Sequence, residues 1–152
     1  MTASDELEPT DAAILRVLTT DGRASFTDLA EQVGLSVSAV HQRVKRLEQR
    51  GVLRGYRAEV DRDAVGLPLT AFVSLTPFDP AAPDDYPQRL AHLPEIESCY
   101  SVAGDESYIL TVRVASPRGL EDLLRRIREA ANVSTRTTVV LSIPFEARPL
   151  TL

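Results

Sequence analysis

The chain has 152 residues, 43% of them hydrophobic, and a net charge of −5, which is room for one ordinary domain or two small ones that gain stability by assembling. No apolar run approaches the ~20 residues of a membrane span, and the acidic, polar start from Met1 to Glu8 reverses the order of a secretory signal. Cys99 is the only cysteine, which excludes an intrachain disulfide framework or a cysteine-based zinc site and points to a reducing, cytoplasmic setting.

The first helix is expected from Thr10, as its cap, through Leu18, with Ile14, Leu15 and Leu18 at helical spacing. Asp21-Gly22-Arg23 is a turn signal. Ser25 or Thr27 can cap a second helix carrying Phe26, Leu29, Ala30 and Val33. Gly34 suits the left-handed position that ends it, and Ser36 caps a third helix, Val37 to Arg50, closed by Gly51. Two helices joined by a short glycine-containing turn make a helix-turn-helix. The segment from Val52 to Val60 alternates loosely between apolar and charged residues, as a two-stranded wing or a linker strand does. Asp61 to Pro68 reads as a hinge.

The second half has another rhythm. Leu69 to Thr76 is expected as a strand with Ala71, Val73 and Leu75 on one face and Phe72 on the other. A proline-rich acidic loop leads to a helix with Tyr86, Leu90 and Leu93 at i, i+4 and i+7. Strands follow over Ile96 to Val102, with Cys99 expected to be buried or half-buried, and over Tyr108 to Val114. Ser116-Pro117 opens a helix in the favoured order of cap then proline, with Leu120, Leu123, Leu124, Ile127 and Ala131 on one stripe. A last strand is expected over Thr135 to Ile143. The order β-α-β-β-α-β is that of a ferredoxin-like domain. The fold class is therefore α+β: a winged helix-turn-helix domain over residues 1–60, a hinge over 61–68, and a βαββαβ domain over 69–152.

Charge is unevenly spread. From Ser36 to Arg57, six basic residues face Glu48 alone, a local net of +5 that leaves about −10 for the rest. A basic stretch inside an acidic protein is an electrostatic footprint for nucleic acid. On the third helix Val37, Val40, Val44 and Leu47 share a face, while Ser38, Gln42, Lys45 and Gln49 lie opposite. Amide and hydroxyl side chains suit base edges in the major groove, and cations suit phosphates. Base contact is accordingly assigned to Ser38 and Gln42, and backbone contact to Ser36, Arg43, Lys45 and Arg46, with Arg54 and Arg57 touching phosphate from the wing. The plainer alternative is an amphipathic helix with a solvated charged face. His41 sits at the boundary, and Arg43 can instead pair with an acid in its own domain.

These residues resemble the Lrp/AsnC (leucine-responsive, feast/famine) regulators. The likeness rests on Gly34-Leu35-Ser36, Val40, Arg43-Val44, Arg46-Leu47-Glu48, Gly51-Val52-Leu53 and Gly55-Tyr56, and on Asp11, Ile14-Leu15, Leu18 and Asp21-Gly22-Arg23 before them. It extends to Asp61, Val65-Gly66, the Gly104-Asp105 turn and the Thr-rich strand Thr135 to Thr138. The resemblance implies a bacterial transcription regulator of amino-acid or nitrogen metabolism. It would be dimeric through its α/β domains, often octameric, and would bind pseudo-palindromic double-stranded DNA under the control of an amino acid held between dimers. Carried over by position, the effector site comprises Tyr100, Gly104, Asp105, Glu106 and Ser107, with Thr135 and Thr137 facing them. Gly104 can expose backbone N–H groups to a carboxylate, and Asp105 or Glu106 can hold an ammonium group. A polar hairpin connection also accounts for Gly-Asp, and Glu106-Ser107 departs from the commoner Gly-Asp-X-Asp pattern.

An enzyme is not expected. His41 and His92, the only histidines, fall in different domains, Cys99 has no local base, and no phosphate-binding glycine motif is present. No cofactor, metal or membrane contact is expected. The alternative from another class is an oligomeric small-molecule-binding protein without specific DNA binding.

Overall fold

The computed structural model describes residues 7–79, 81 and 83–149. The acidic start before Leu7, two positions of the proline-rich loop and the last three residues lie outside the described residues. The chain divides into two compact units. Among the described residues, one runs from Leu7 to Glu59 and takes in Phe145 to Pro149; the other is Val60–Pro144.

In the first unit, α1 spans Pro9–Thr20, α2 Phe26–Val33 and α3 Val37–Gln49. Helix α1 starts earlier than a Thr10 cap allows, with Glu8 at the cap position and Pro9 at the first helical position. Proline's missing N–H and preset φ make it a better first residue than threonine is a cap there. Ser25 caps α2 reciprocally: its hydroxyl accepts from Asp28 N–H and the Asp28 carboxylate accepts from Ser25 N–H. Gly34 closes α2 at φ +70°, a left-handed conformation open to glycine at little cost. Ser36 then accepts from Ala39 N–H to start α3. The core is Ile14, Leu15, Leu18, Leu29, Ala30, Val40, Val44 and Leu47. Val37, counted with the apolar face, lies in the first turn of α3 and is 46% exposed.

Residues 52–60 form no strand, so no two-stranded wing exists among the described residues of this chain. Val52 and Leu53 N–H both return to Leu47 C=O, Leu53 packs on the helical core, and Tyr56 OH donates to Glu48 at 3.3 Å. The segment is drawn back onto the helices, with no second strand to pair with.

In the second unit β1 (Leu69–Pro77), β2 (Ile96–Ser101), β3 (Tyr108–Val114) and β4 (Val133–Val139) form one antiparallel sheet of order β2-β3-β1-β4. With α4 (Tyr86–Leu90) and α5 (Pro117–Ala131) this is the expected βαββαβ order. One sheet face is dry: Ala71, Val73, Leu75, Leu110 and Val112 pack against Leu120, Leu123 and Ile127 of α5. The other face carries Phe72, Ile109 and Tyr100. Helix α4 is a single turn, and Leu93 is buried beyond its end in a tight turn to Leu90. So short a helix leaves Cys99, on edge strand β2, exposed. Strand β4 begins at Val133 because Asn132, at φ +54°, turns the chain straight out of α5. It ends at Val139 instead of Ile143. Val139 pairs with Ala71 and Val140 N–H reaches Thr70 C=O, which leaves only Leu69 of β1 beyond that point, too little to carry the pairing to Ile143.

Candidate DNA-reading helix and effector cleft

Ser36, Ser38, Gln42 and Lys45 are exposed on α3, above the buried row Val40, Val44 and Leu47. Ser38 Oγ lies 3.2 Å from Ser36 Oγ. Gln42, Lys45, Arg54 and Arg57 have no side-chain partner among the described residues and remain available to a ligand. Arg43 and Arg46 are different. Arg43 Nη1 donates to Asp11 Oδ1 at 2.7 Å and to Glu8 Oε2 at 2.8 Å. Arg46 Nη2 donates to Asp11 Oδ2 and Glu8 Oε1, both at 3.1 Å. Hydrogen bonding to Arg43 holds the Glu8 carboxyl below its ordinary range, and the same bond pushes the Arg43 guanidinium up. Two of the six basic groups thus spend their charge on α1, an arrangement left open in the sequence for Arg43 and missed for Arg46.

In the second unit Gly104, Asp105, Glu106 and Ser107 come together on one wall of an open cleft of about 580 Å³. Thr76, Asp84, Tyr86, Ser101 and Tyr108 complete much of its lining. Val102 N–H to Ser107 C=O closes the loop, and Ser107 N–H docks it on Leu75 C=O. Tyr108 OH donates to Asp84 at 2.8 Å, which together with burial pushes the phenol up. Glu106 is paired with Arg136 of β4. The exposed Asp105, the second carboxylate oxygen of Asp84 and the hydroxyls of Thr76 and Ser101 are therefore able to meet an ammonium or other donor.

Three expected site residues are not in this lining. Tyr100 lies on the open sheet face opposite Ile109. Thr135 and Thr137 stand opposite Leu75 and Val73 on the face covered by α5, and Thr135 Oγ1 accepts from Arg128 at 3.1 Å. Arg136, between those threonines, is the β4 residue that reaches the loop. Its charge amid neutral neighbours was the available signal.

The profile of the AsnC-type helix-turn-helix domain matches residues 7–48, and that of the Lrp/AsnC ligand-binding domain matches residues 70–150. The HTH-type transcriptional regulator LrpA of Mycobacterium tuberculosis is 56% identical over 145 residues, covering 95% of this chain and 97% of that protein. The leucine-responsive regulatory protein of Haemophilus influenzae is 36% identical, covering 89% and 84%. Among solved structures, the feast or famine regulatory protein from M. tuberculosis complexed with L-methionine is 57% identical, with a TM-score of 0.92 over 94% of this chain and 97% of that one. A Neisseria meningitidis transcriptional regulator in complex with L-methionine is 27% identical, with a TM-score of 0.88 over 96% and 97%. Both halves, in their order and over nearly the full length, place this chain in the Lrp/AsnC family of helix-turn-helix transcriptional regulators with a ligand-binding domain.

Proposed function

We propose that the protein binds pseudo-palindromic double-stranded DNA as a homodimer or a larger assembly up to an octamer, controlling genes of amino-acid or nitrogen metabolism in response to an amino acid. The observation that carries this reading is the exposed row Ser38, Gln42 and Lys45, held rigid by the buried row beneath it on α3. Residues 1–60 serve DNA, 61–68 form the hinge, and 69–152 assemble and sense. Ser38 and Gln42 meet bases, Ser36, Lys45, Arg54 and Arg57 meet phosphates, and Arg43 and Arg46 chiefly fix α3 on α1. In the sensing part, the loop Gly104 to Ser107 takes an amino acid at the contact between dimers, with Asp105 on its ammonium group. Two similar proteins solved with L-methionine make that amino acid the first to try. The protein works as a cytoplasmic regulator without catalysis; no helix among the described residues is long and apolar enough to cross a membrane.

Coupling requires the amino acid to bind two assembly states with different affinity. Binding to the gene's own upstream DNA across a salt series, with and without single amino acids, tests the whole reading. Salt-sensitive, sequence-preferring binding that one amino acid alters is the expected result. Binding indifferent to every amino acid removes the sensor. Absence of specific binding, to that DNA and to a randomised pool, leaves an assembly that only binds small molecules.

A further inference from the structure

His41 is exposed, and its imidazole has no hydrogen bond or ion pair among the described residues. Its one contact of note is with Phe26, edge to face, with ring centroids 5.0 Å apart and planes at 66°. Phe26 is the first residue of α2 and is 38% exposed, so its ring is only partly covered. The Ser25–Asp28 capping box holds that helix end, so the ring is a firm support.

At about 100° per residue, His41 lies roughly 60° around α3 from Ser38 and 100° from Gln42. It extends the exposed face on the flank towards α2, away from the flank where Arg43 and Arg46 turn to α1.

We propose that His41 reads base identity in the major groove beside Ser38 and Gln42, and that Phe26 is its positioning residue. The inference rests on α3 being the DNA-reading helix. An imidazole always keeps at least one N–H donor. Both purines present an N7 acceptor in the major groove and guanine adds O6, whereas cytosine presents a donor. Thymine adds an O4 acceptor, so a donor at His41 favours guanine, with its two acceptors, over cytosine at one position of each half-site. The edge contact with Phe26 restricts the ring before DNA arrives, which lowers the ordering cost of the bond.

A duplex chosen from a randomised pool by the wild-type protein provides the probe. Affinities for all its single-pair variants are then measured for wild type, His41→Ala and Phe26→Leu, alongside thermal unfolding and the salt slope. His41→Ala is expected to unfold at the wild-type temperature, keep the salt slope, and lose about ten-fold discrimination at one symmetric position. Phe26→Leu weakens the same position partially. A loss shared by every sequence with a lowered unfolding temperature makes the pair a brace between helices and overturns the proposal. An unchanged profile in a protein that still discriminates overturns the His41 assignment alone. A wild type that selects nothing from the pool overturns the reading of α3 and this inference with it.

Discussion

Arg43 Nη1 and Asp11 Oδ1 meet at 2.7 Å, and Asp11 has no solvent exposure at all. The second oxygen of that carboxylate takes Arg46, so one aspartate of α1 holds two arginines of α3. A buried carboxylate is tolerated only when its charge is paired and its lone pairs are filled, and these guanidiniums supply both. The orientation of α3 is therefore set by a charged clasp as well as by Val40, Val44 and Leu47.

Asp11→Asn should destabilise the helical unit by about 2 kcal/mol, the scale of a lost charged hydrogen bond within the fold. Arg43→Ala should cost less, because Arg46 remains on the carboxylate. Urea unfolding followed by helical circular dichroism decides it. Equal midpoints for Asp11→Asn and wild type would mean that the clasp contributes nothing to stability.

Lys45 and Arg46 are adjacent cations with different commitments. Lys45 has no protein partner among the described residues, whereas Arg46 is already shared between Asp11 and Glu8. Lys45→Ala should flatten the dependence of log K on log salt by about 0.9, one phosphate contact, and Arg46→Ala by clearly less. Equal changes would show that Arg46 leaves its clasp when DNA binds.

That difference also marks how far the sequence could be read. Caps and turn residues act locally, so Ser25, Gly34, Ser36 and Ser116-Pro117 announced their helices, and the βαββαβ order followed from period alone. A helical wheel gives the direction of a Cβ, not where a long arginine ends, and Arg46 folds back to α1 from the outer flank. The end of β4 was hidden because it depends on where β1, some seventy residues away, begins. The run Ser134 to Thr138 has no apolar alternation to say which face is dry, so Thr135 and Thr137 were assigned to a loop that Arg136 reaches instead. The loop residues 104–107 were legible as a group because a hairpin turn keeps sequence neighbours together.

Acid should weaken the α/β unit through Glu95. Hydrogen bonding to Arg126 holds this carboxyl below its ordinary value of 4.5, against an opposing push from burial. A carboxyl depressed in the folded state adds stability above its unfolded pKa and loses it as pH falls through the folded pKa. Wild type should therefore exceed Glu95→Gln in unfolding midpoint at pH 7, with the gap closing progressively below about pH 4.5. A gap that stays constant down to pH 3 would show that Glu95 acts by packing and not by charge.

The open sheet face offers the seam for the proposed dimer. Phe72 is 45% exposed and Tyr100 56% exposed, and they stand on the face that neither α4 nor α5 covers. Large aromatic side chains buried in a seam carry a disproportionate share of association energy, and Phe72 stands on an inner strand of the sheet. Phe72→Asp keeps the strand backbone but places a charge where a second sheet would pack, a cost no rim position imposes. It should weaken dimerisation by at least about 30-fold while leaving the α5-covered core, and hence the far-ultraviolet spectrum, unchanged. Sedimentation over a concentration series reads the shift directly. A variant that stays dimeric at the dilution where wild type begins to dissociate would move the seam off this face.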